Sequence, residues 1–214
     1  MRIQLNRAHY PVTVLGPGRR IGLWTQGCGI GCPGCVALDT WAPDPATEIE
    51  VADLVSWCDS LLDKGVDGVT ISGGEPFDQP EALAELVGRL RAWRAGRDID
   101  LLCYSGRSLS VLRRRFPHIL DQLDAVVPGR FVAARAPGLK WRGSANQLLV
   151  PLTPLGHRRY DAEIEREADA ARLQVAVTGS TVYHIGVPRP GDLDALEDAL
   201  ARRGVRYREV SWRS

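Results

Sequence analysis

Short apolar runs recur along most of this chain, separated by longer segments with an apolar stripe at helical spacing. A run of four to eight apolar residues bounded by turn residues is typical of a buried strand. The pattern predicts five strands, at residues 21–25, 66–72, 99–104, 125–127 and 147–152. Strands that alternate with helices predict parallel βαβ units and therefore an α/β fold.

The segments between these runs predict the helices. Thr47 and Glu50 have the spacing of a capping box, and the apolar stripe that follows ends at Gly65, a left-handed cap. Further helices are predicted at residues 80–93, 108–116 and 157–172, the last with a poor apolar stripe.

The alternation of predicted strands and helices weakens after residue 152. Apolar runs on both sides of Thr178-Gly179-Ser180 predict a hairpin, followed by a helix near residues 193–204 and a final strand at 205–212. The first 20 residues are expected to be irregular. We therefore expect a core of residues 1–172, with a C-terminal α+β appendage of residues 173–214 packed on the same domain.

The composition excludes several classes of protein. Hydrophobic residues at 44% and charged residues at 25% are globular values. A net charge of +1 gives no electrostatic basis for binding nucleic acid or an anionic membrane. No apolar run approaches the roughly 18 residues of a membrane span, and the first residues lack the apolar core of a signal peptide. We expect a cytoplasmic protein.

Five cysteines are the most informative part of the composition. An odd number in a reducing compartment argues against a disulfide framework. Cys28, Cys32 and Cys35 lie together in a segment whose glycines and proline predict a loop. Cys58 and Cys103 stand alone among apolar neighbours, as expected for core residues.

The spacing Cys-x3-Cys-x2-Cys on a glycine-rich loop indicates a set of ligands for one inorganic centre. A structural zinc site usually takes four protein ligands, and no fourth candidate lies nearby in the sequence. A cubane iron–sulfur cluster normally takes four thiolates, so three would leave one iron open to a ligand that is not protein. A zinc site completed by a distant residue stays open as an alternative.

The motifs around this loop resemble the radical S-adenosylmethionine (SAM) superfamily. Within it they are similar to the activating enzymes of glycyl-radical proteins, above all to the activases of anaerobic ribonucleotide reductases. The resemblance covers residues 12 to about 152. The matching segments are Gly16-Pro17-Gly18-Arg19, Leu23-Trp24-Thr25-Gln26-Gly27-Cys28, Cys32-Pro33-Gly34-Cys35, Asp39-Thr40-Trp41, Ser72-Gly73-Gly74-Glu75-Pro76 and Trp141-Arg142-Gly143-Ser144-Ala145-Asn146-Gln147.

The resemblance implies that Cys28, Cys32 and Cys35 hold a [4Fe–4S] cluster whose fourth iron binds the amino and carboxylate groups of SAM. Reductive cleavage of SAM then gives methionine and a 5′-deoxyadenosyl radical, which abstracts hydrogen from the substrate. A full (βα)8 barrel takes about 250 residues, so we expect a partial, TIM-like barrel of five or six strands. Its open side would suit a protein loop as substrate.

The Gly-Gly-Glu-Pro element, Gly73 to Pro76, is implied to bind SAM. Backbone without Cβ atoms at Gly73 and Gly74 can approach the methionine end closely, and Glu75 would close the loop or place its charge beside the ammonium group. A tight strand-to-helix turn would also need glycine. Ser105, at the end of the third strand, is a candidate for bonding SAM, and a serine that caps the next helix is its alternative.

Other candidates have weaker signals. Arg130 and Arg142 would pair with an acidic group of a ligand or partner, or would be ordinary surface residues. Asn146 begins the fifth strand, away from the strand ends where barrel sites lie. Trp24 and Trp41 flank the cysteine loop and would shield a cluster or pack in the core.

The chain departs from the family pattern at three places, all of which bear on contacts to cofactor, substrate or cation. Position 34, where the superfamily often has an aromatic residue near adenine, is glycine. Leu15 stands where the family often has aspartate, and Pro128-Gly129 replaces an Asp-Gly pair.

The leading hypothesis is a radical SAM activase that installs a glycyl radical in a partner enzyme and takes its electron from a flavodoxin or ferredoxin. One alternative is a radical SAM enzyme that modifies a small molecule or peptide, for example of the carboxy-deazaguanine synthase kind. The alternative from another class is a non-catalytic module that binds zinc or an iron–sulfur cluster.

Overall fold

A seven-stranded sheet organises the chain in a computed structural model, which describes residues 1–135, 139–167 and 173–213. The order of strands across the sheet is β3-β1-β2-β4-β5-β6-β7. These strands are β1 (Arg2–Val12), β2 (Arg20–Thr25), β3 (Glu48–Glu50), β4 (Gly68–Gly73), β5 (Asp100–Ser105), β6 (Ala125–Pro128) and β7 (Val150–Pro151).

The middle of the sheet is parallel. Strand β2 pairs in parallel with β4, β4 with β5, and β5 with β6, whereas the flanking strands β1, β3 and β7 pair antiparallel to their neighbours. Because parallel strands need crossover connections, helices lie between them in the sequence. The predicted α/β class is confirmed as a mixed fold with a mainly parallel central sheet.

Four helices cross between or follow these strands: α1 (Val51–Asp59), α2 (Pro80–Trp93), α3 (Leu109–Arg115) and α4 (Pro117–Leu120). Their apolar stripes form one core with alternate strand residues such as Leu101 and Cys103. Pro80 occupies the first turn of α2, as predicted. Gly65 has the predicted left-handed φ of 81°, but it ends the short 3-10 helix Leu62–Lys64, because α1 already ends at Asp59.

Neighbouring side chains of a strand point to opposite faces of the sheet. The strand residues that alternate with Leu101 and Cys103 therefore face the other side and form a second apolar layer there. Leu102 and Val127 pack there with Trp141 and Tyr160. Tyr160 ends α5 (Pro154–Tyr160).

The predicted hairpin is also present, and it packs on the sheet. It consists of β8 (Leu173–Thr178) and β9 (Thr181–Gly186), followed by α6 (Asp192–Ala201). Ile185 of β9 is 3% exposed and packs with Val12 and Leu15. Gln174 bonds the backbone of Pro11 and Thr13.

Several sequence predictions are wrong. The first 20 residues are not irregular, because β1 is an eleven-residue strand held by β2 on one side and β3 on the other. The capping box at Thr47 does not form: its hydroxyl donates to Asp44 O, residues 48–50 pair with β1, and the helix starts at Val51 without a side-chain cap.

The later elements are shorter than predicted. The fifth strand is only Val150–Pro151 and is antiparallel to β6. The helix expected at 157–172 ends at Tyr160 and continues as the 3-10 turn Asp161–Glu163, while its end at 168–172 lies outside the described residues. Residues 205–213 contain no strand, since their backbone bonds go to Leu200 O of α6 and Leu38 N rather than to a ladder.

Across the described parts of the chain, none of the helices has the length and apolar character that crossing a membrane requires.

Candidate active site

The cysteine loop leaves β2 and returns beside its own starting point. Gly27 N donates to Thr40 O at 2.8 Å and Cys28 N donates to Trp41 O at 2.9 Å, so the base of the loop is closed by backbone. Gly31 and Gly34 have φ values of 58° and 78°, a region that residues with a Cβ rarely adopt. The predicted glycine-dependent turn of this loop is confirmed.

All three cysteines of the loop line one cavity of about 270 Å³. Cys32 is buried, Cys28 and Cys35 are half-buried, and all are free thiols. Burial raises the pKa of the Cys28 thiol; the backbone N–H groups of Gly31 and Ile30 oppose this rise.

A zinc ion and a cubane cluster make different demands on these thiols. A zinc ion needs its ligands around one point, whereas in a cubane cluster each thiolate binds a different iron. The three thiols need only line one cavity to hold a cluster, and they do. Within the described residues, no group of three or more His, Cys, Asp or Glu side chains is arranged to hold a single ion.

The Gly73–Gly74 turn packs directly on the base of this loop. A Cβ on Gly73 would lie 2.4 Å from Thr25 N, and a Cβ on Gly74 would lie 2.1 Å from Gly27 O. Gly74 N donates to Thr25 O and Glu75 N donates to Gly27 O, both at 2.9 Å. The two glycines therefore serve a close backbone contact, and both also line the cavity.

Glu75 is 1% exposed and ties two loops together. Its carboxylate accepts hydrogen bonds from Phe77 N at 3.1 Å, Ser105 Oγ at 2.8 Å and Gly106 N at 2.7 Å. Burial raises the pKa of Glu75, which these hydrogen bonds partly oppose. Of the two roles considered for Glu75, loop closure is the one that its contacts make.

Ser105 and Pro76, the other two predicted SAM-binding residues, lie at the edge of the cavity and behind its wall. Ser105 lines the cavity, but its hydroxyl proton is used by Glu75 and its oxygen accepts from Arg107 N at 3.0 Å. The helix after it is capped by Ser108 instead. Pro76 is buried as the first residue of the 3-10 turn Pro76–Asp78, behind the cavity wall.

A test of this packing is Gly74→Ala. The added Cβ overlaps Gly27 O, so we expect lost stability of about 2 kcal/mol or more, since overpacking typically costs 1–3 kcal/mol, and a lower iron content after reconstitution. The control is Gly88→Ala in α2, where nothing lies within 4 Å of the new Cβ and helix propensity predicts a gain of about 0.5–1 kcal/mol. Urea unfolding and iron analysis measure both; equal stability of the two variants would contradict the packing.

Three further candidates are placed by their contacts. Arg130 reaches into the cysteine loop and donates to Ile30 O at 2.6 Å, and Asn146 holds Arg130 in turn by donating to its carbonyl oxygen at 2.8 Å. Arg142 is 3% exposed and bonds Ile164 O, so it is not a surface residue.

The remaining sequence candidates fall into two groups, one at the cavity and one in the core. Trp24 and Trp41 both line the cavity. Cys58 and Cys103 are fully buried in the core with the helices. Burial raises the pKa of Cys58 to about 12, as expected for an inert core thiol.

An aromatic ring lies beside Gly34 even though the sequence has none at that position. Phe131, from the loop after β6, lies 3.6 Å from the position of a Cβ on Gly34 and lines the cavity. Only the fold brings these residues together, so no local sequence signal could identify Phe131.

The C-terminal residues also contribute to the cavity, which the sequence did not indicate. His184, Ile185 and Ser211 line it. Ser211 O accepts from Leu38 N at 2.9 Å, so the tail lies against the segment that follows Cys35. His184 Nε2 is 2.8 Å from the hydroxyl of Tyr207.

Comparisons with known proteins agree with this geometry. A family model described as "4Fe-4S single cluster domain" matches residues 14–150. The anaerobic ribonucleoside-triphosphate reductase-activating protein of Escherichia coli K12 is 34% identical over 148 residues, which are 66% of this chain and 94% of that protein. The pyruvate formate-lyase-activating enzyme of Staphylococcus aureus is 31% identical over 119 residues, 54% of this chain and 47% of that enzyme.

Among solved structures, QueE from Escherichia coli aligns with a TM-score of 0.45 at 17% identity, covering 74% of this chain and 68% of that one.

Proposed function

We propose that this chain, which belongs to the 4Fe–4S single cluster domain family, installs a glycyl radical in a partner enzyme. It is a radical SAM enzyme related to the anaerobic ribonucleoside-triphosphate reductase-activating proteins. The observation that carries the proposal is the single cavity shared by the three loop cysteines and the Gly73–Gly74 turn. A relative of which 94% aligns with this chain is named for activating such a reductase.

The proposal assigns roles to the residues around the cavity. Cys28, Cys32 and Cys35 would hold three irons of a [4Fe–4S] cluster, and SAM would complete the fourth. Gly73 and Gly74 would form the wall beside the methionine end of SAM. Glu75, Pro76 and Ser105 would keep this wall in place by joining the loops after β4 and β5, as their hydrogen bonds and burial support.

When bound, the cluster and SAM would supply the one-electron chemistry needed to remove a hydrogen atom from a glycine. The chain contributes orientation and exclusion of water. Trp24 and Tyr104 give the cavity aromatic walls. Phe131 would supply the aromatic surface that Gly34 lacks.

The finer structural predictions belong to the same proposal. The parallel strands β2, β4, β5 and β6 would be part of an incomplete barrel. Residues 173–214 would be an appendage to a core of residues 1–172, which is supported by a family match that ends at residue 150 and by the separate sheet of β8 and β9. Because it lines the cavity, the appendage would limit which segments of a partner can enter.

The test is radical transfer under anaerobic conditions. The reconstituted protein is mixed with SAM and a chemical reductant, then with a ribonucleotide reductase that carries a glycyl-radical site. We expect formation of 5′-deoxyadenosine and a glycyl radical signal in the partner by electron paramagnetic resonance. A flavodoxin or ferredoxin in place of the chemical reductant tests the proposed electron donor.

Two results would count against this function. No 5′-deoxyadenosine with any reductant would exclude radical SAM activity. Rapid turnover of a small molecule, with no radical in any glycyl-radical enzyme tested, would favour the small-molecule alternative.

A further inference from the structure

The tip of the cysteine loop is held by side chains from two other loops. Gly29 N, next to Cys28, donates to Asp78 Oδ2 at 2.6 Å. On the other side, Ile30 O accepts the hydrogen bond from Arg130. The loop between the first two cysteines is therefore fixed from outside, and Asp78 is the acidic residue in that contact.

Asp78 is also one half of an ion pair. Its second carboxylate oxygen, Oδ1, accepts from Arg107 Nη2, and both side chains are about one quarter exposed. Arg107 is held in turn by its own backbone bond to Ser105 Oγ, and its guanidinium lies 5.9 Å from the centre of the Phe116 ring. Both oxygens of Asp78 are thus used, one for the loop and one for the cation.

The charge of this pair is close enough to affect the cysteine loop. Asp78 bonds the residue next to Cys28 and pairs with Arg107, so one negative and one positive charge lie beside the loop. A negative charge there disfavours an added electron on a cluster bound by Cys28, and a positive charge favours it. Hydrogen bonds and charges around a cluster are general determinants of its reduction potential.

We propose that the Asp78–Arg107 pair positions the cysteine loop through Gly29 and sets the reduction potential of the cluster. The inference rests on the proposed function, since it takes the three cysteines to be cluster ligands. Asp78 and Arg107 act through the loop and through their field, so both are positioning residues.

The two halves of the pair are expected to shift the midpoint potential in opposite directions. Arg107→Gln leaves the carboxylate of Asp78 without its cation, which disfavours the reduced cluster and lowers the potential. Asp78→Asn keeps an acceptor oxygen for Gly29 N but leaves Arg107 unpaired, which favours the reduced cluster and raises the potential. Loss of packing alone would not produce opposite signs.

The experiment is a redox titration of the reconstituted protein without SAM, with iron content measured in parallel. The control is Arg89→Gln, which removes an exposed arginine of the Glu85–Arg89 pair on α2 and should leave the potential unchanged. Asp78→Ala, which removes both charge and acceptor, should bind less iron than Asp78→Asn. Rescue of iron content by asparagine would identify the Gly29 hydrogen bond as the positioning contact.

Opposite shifts support the inference. Shifts of the same sign, or no shift in either variant at full iron content, would overturn it while leaving the proposed function intact. If the unsubstituted protein itself binds no cluster, the proposed function fails first.

Discussion

Replacing any one of Cys28, Cys32 and Cys35 with alanine is expected to abolish formation of 5′-deoxyadenosine. Each thiol of the loop lines the cavity, and a cubane held by three protein ligands cannot lose one without losing the site that anchors it. Iron and sulfide contents should fall from about four of each per chain to a small fraction of that value. Metal analysis and the visible absorbance of the protein measure this directly.

The matched controls for this experiment are Cys58→Ala and Cys103→Ala. Both thiols are fully buried among core side chains. Their removal should cost about 1 kcal/mol of stability and leave the cluster in place. A loop variant that retains the full cluster, or a core variant that loses it, would contradict the assignment of ligands.

The second large effect is expected at the first residues of β2 and β5, in the buried pair of Arg20 and Asp100. The two side chains are fully buried and meet through two hydrogen bonds of 2.8 Å. Tyr160 donates a further hydrogen bond to Asp100, and Arg20 Nε donates to Thr70 Oγ1 at 2.6 Å. Burial alone would lower the pKa of Arg20, but the adjacent carboxylate reverses this effect and raises it.

Asp100→Asn should therefore destabilise the fold by about 3–5 kcal/mol, because it leaves a buried guanidinium without its counter-charge. The same substitution at Asp98, an exposed partner of Arg158, should cost at most about 1 kcal/mol. Urea unfolding of both variants gives the comparison. Equal costs at the two positions would show that the buried pair does not contribute as its geometry predicts.

The motifs that carry the family resemblance are recognisable in the sequence because the residues of each motif are close together in the chain. Cys28, Cys32 and Cys35 occupy a single loop, and the Gly73–Gly74 turn follows one strand. Periodicity likewise identified β2, β4, β5 and α2, whose apolar residues report burial within a short window. The hairpin at Gly179 was recognised for the same reason.

The same reasoning failed for elements that depend on a partner. Strand β1 is half-buried along most of its length, so its sequence has no clear alternation, and it forms because β2 and β3 pair with its two edges. At residues 205–212 the sequence predicts a strand that does not form, because the apolar residues there have the pattern of a strand. Their backbone instead contacts the segment after the cysteines, as in the bond between Leu38 and Ser211.

The sequence by itself determined the chemical class of this protein, through the resemblance of its motifs, and most of its strand–helix order, through apolar periodicity, because motifs and periodicity are local properties. Only the tertiary structure decided which side chains support the site and which stabilise the fold. Asp78 meets Gly29, Phe131 meets Gly34, and Asp100 meets Arg20 across long separations in the chain. The energies of such contacts depend on burial and on the partner's position, and neither is contained in any short stretch of sequence.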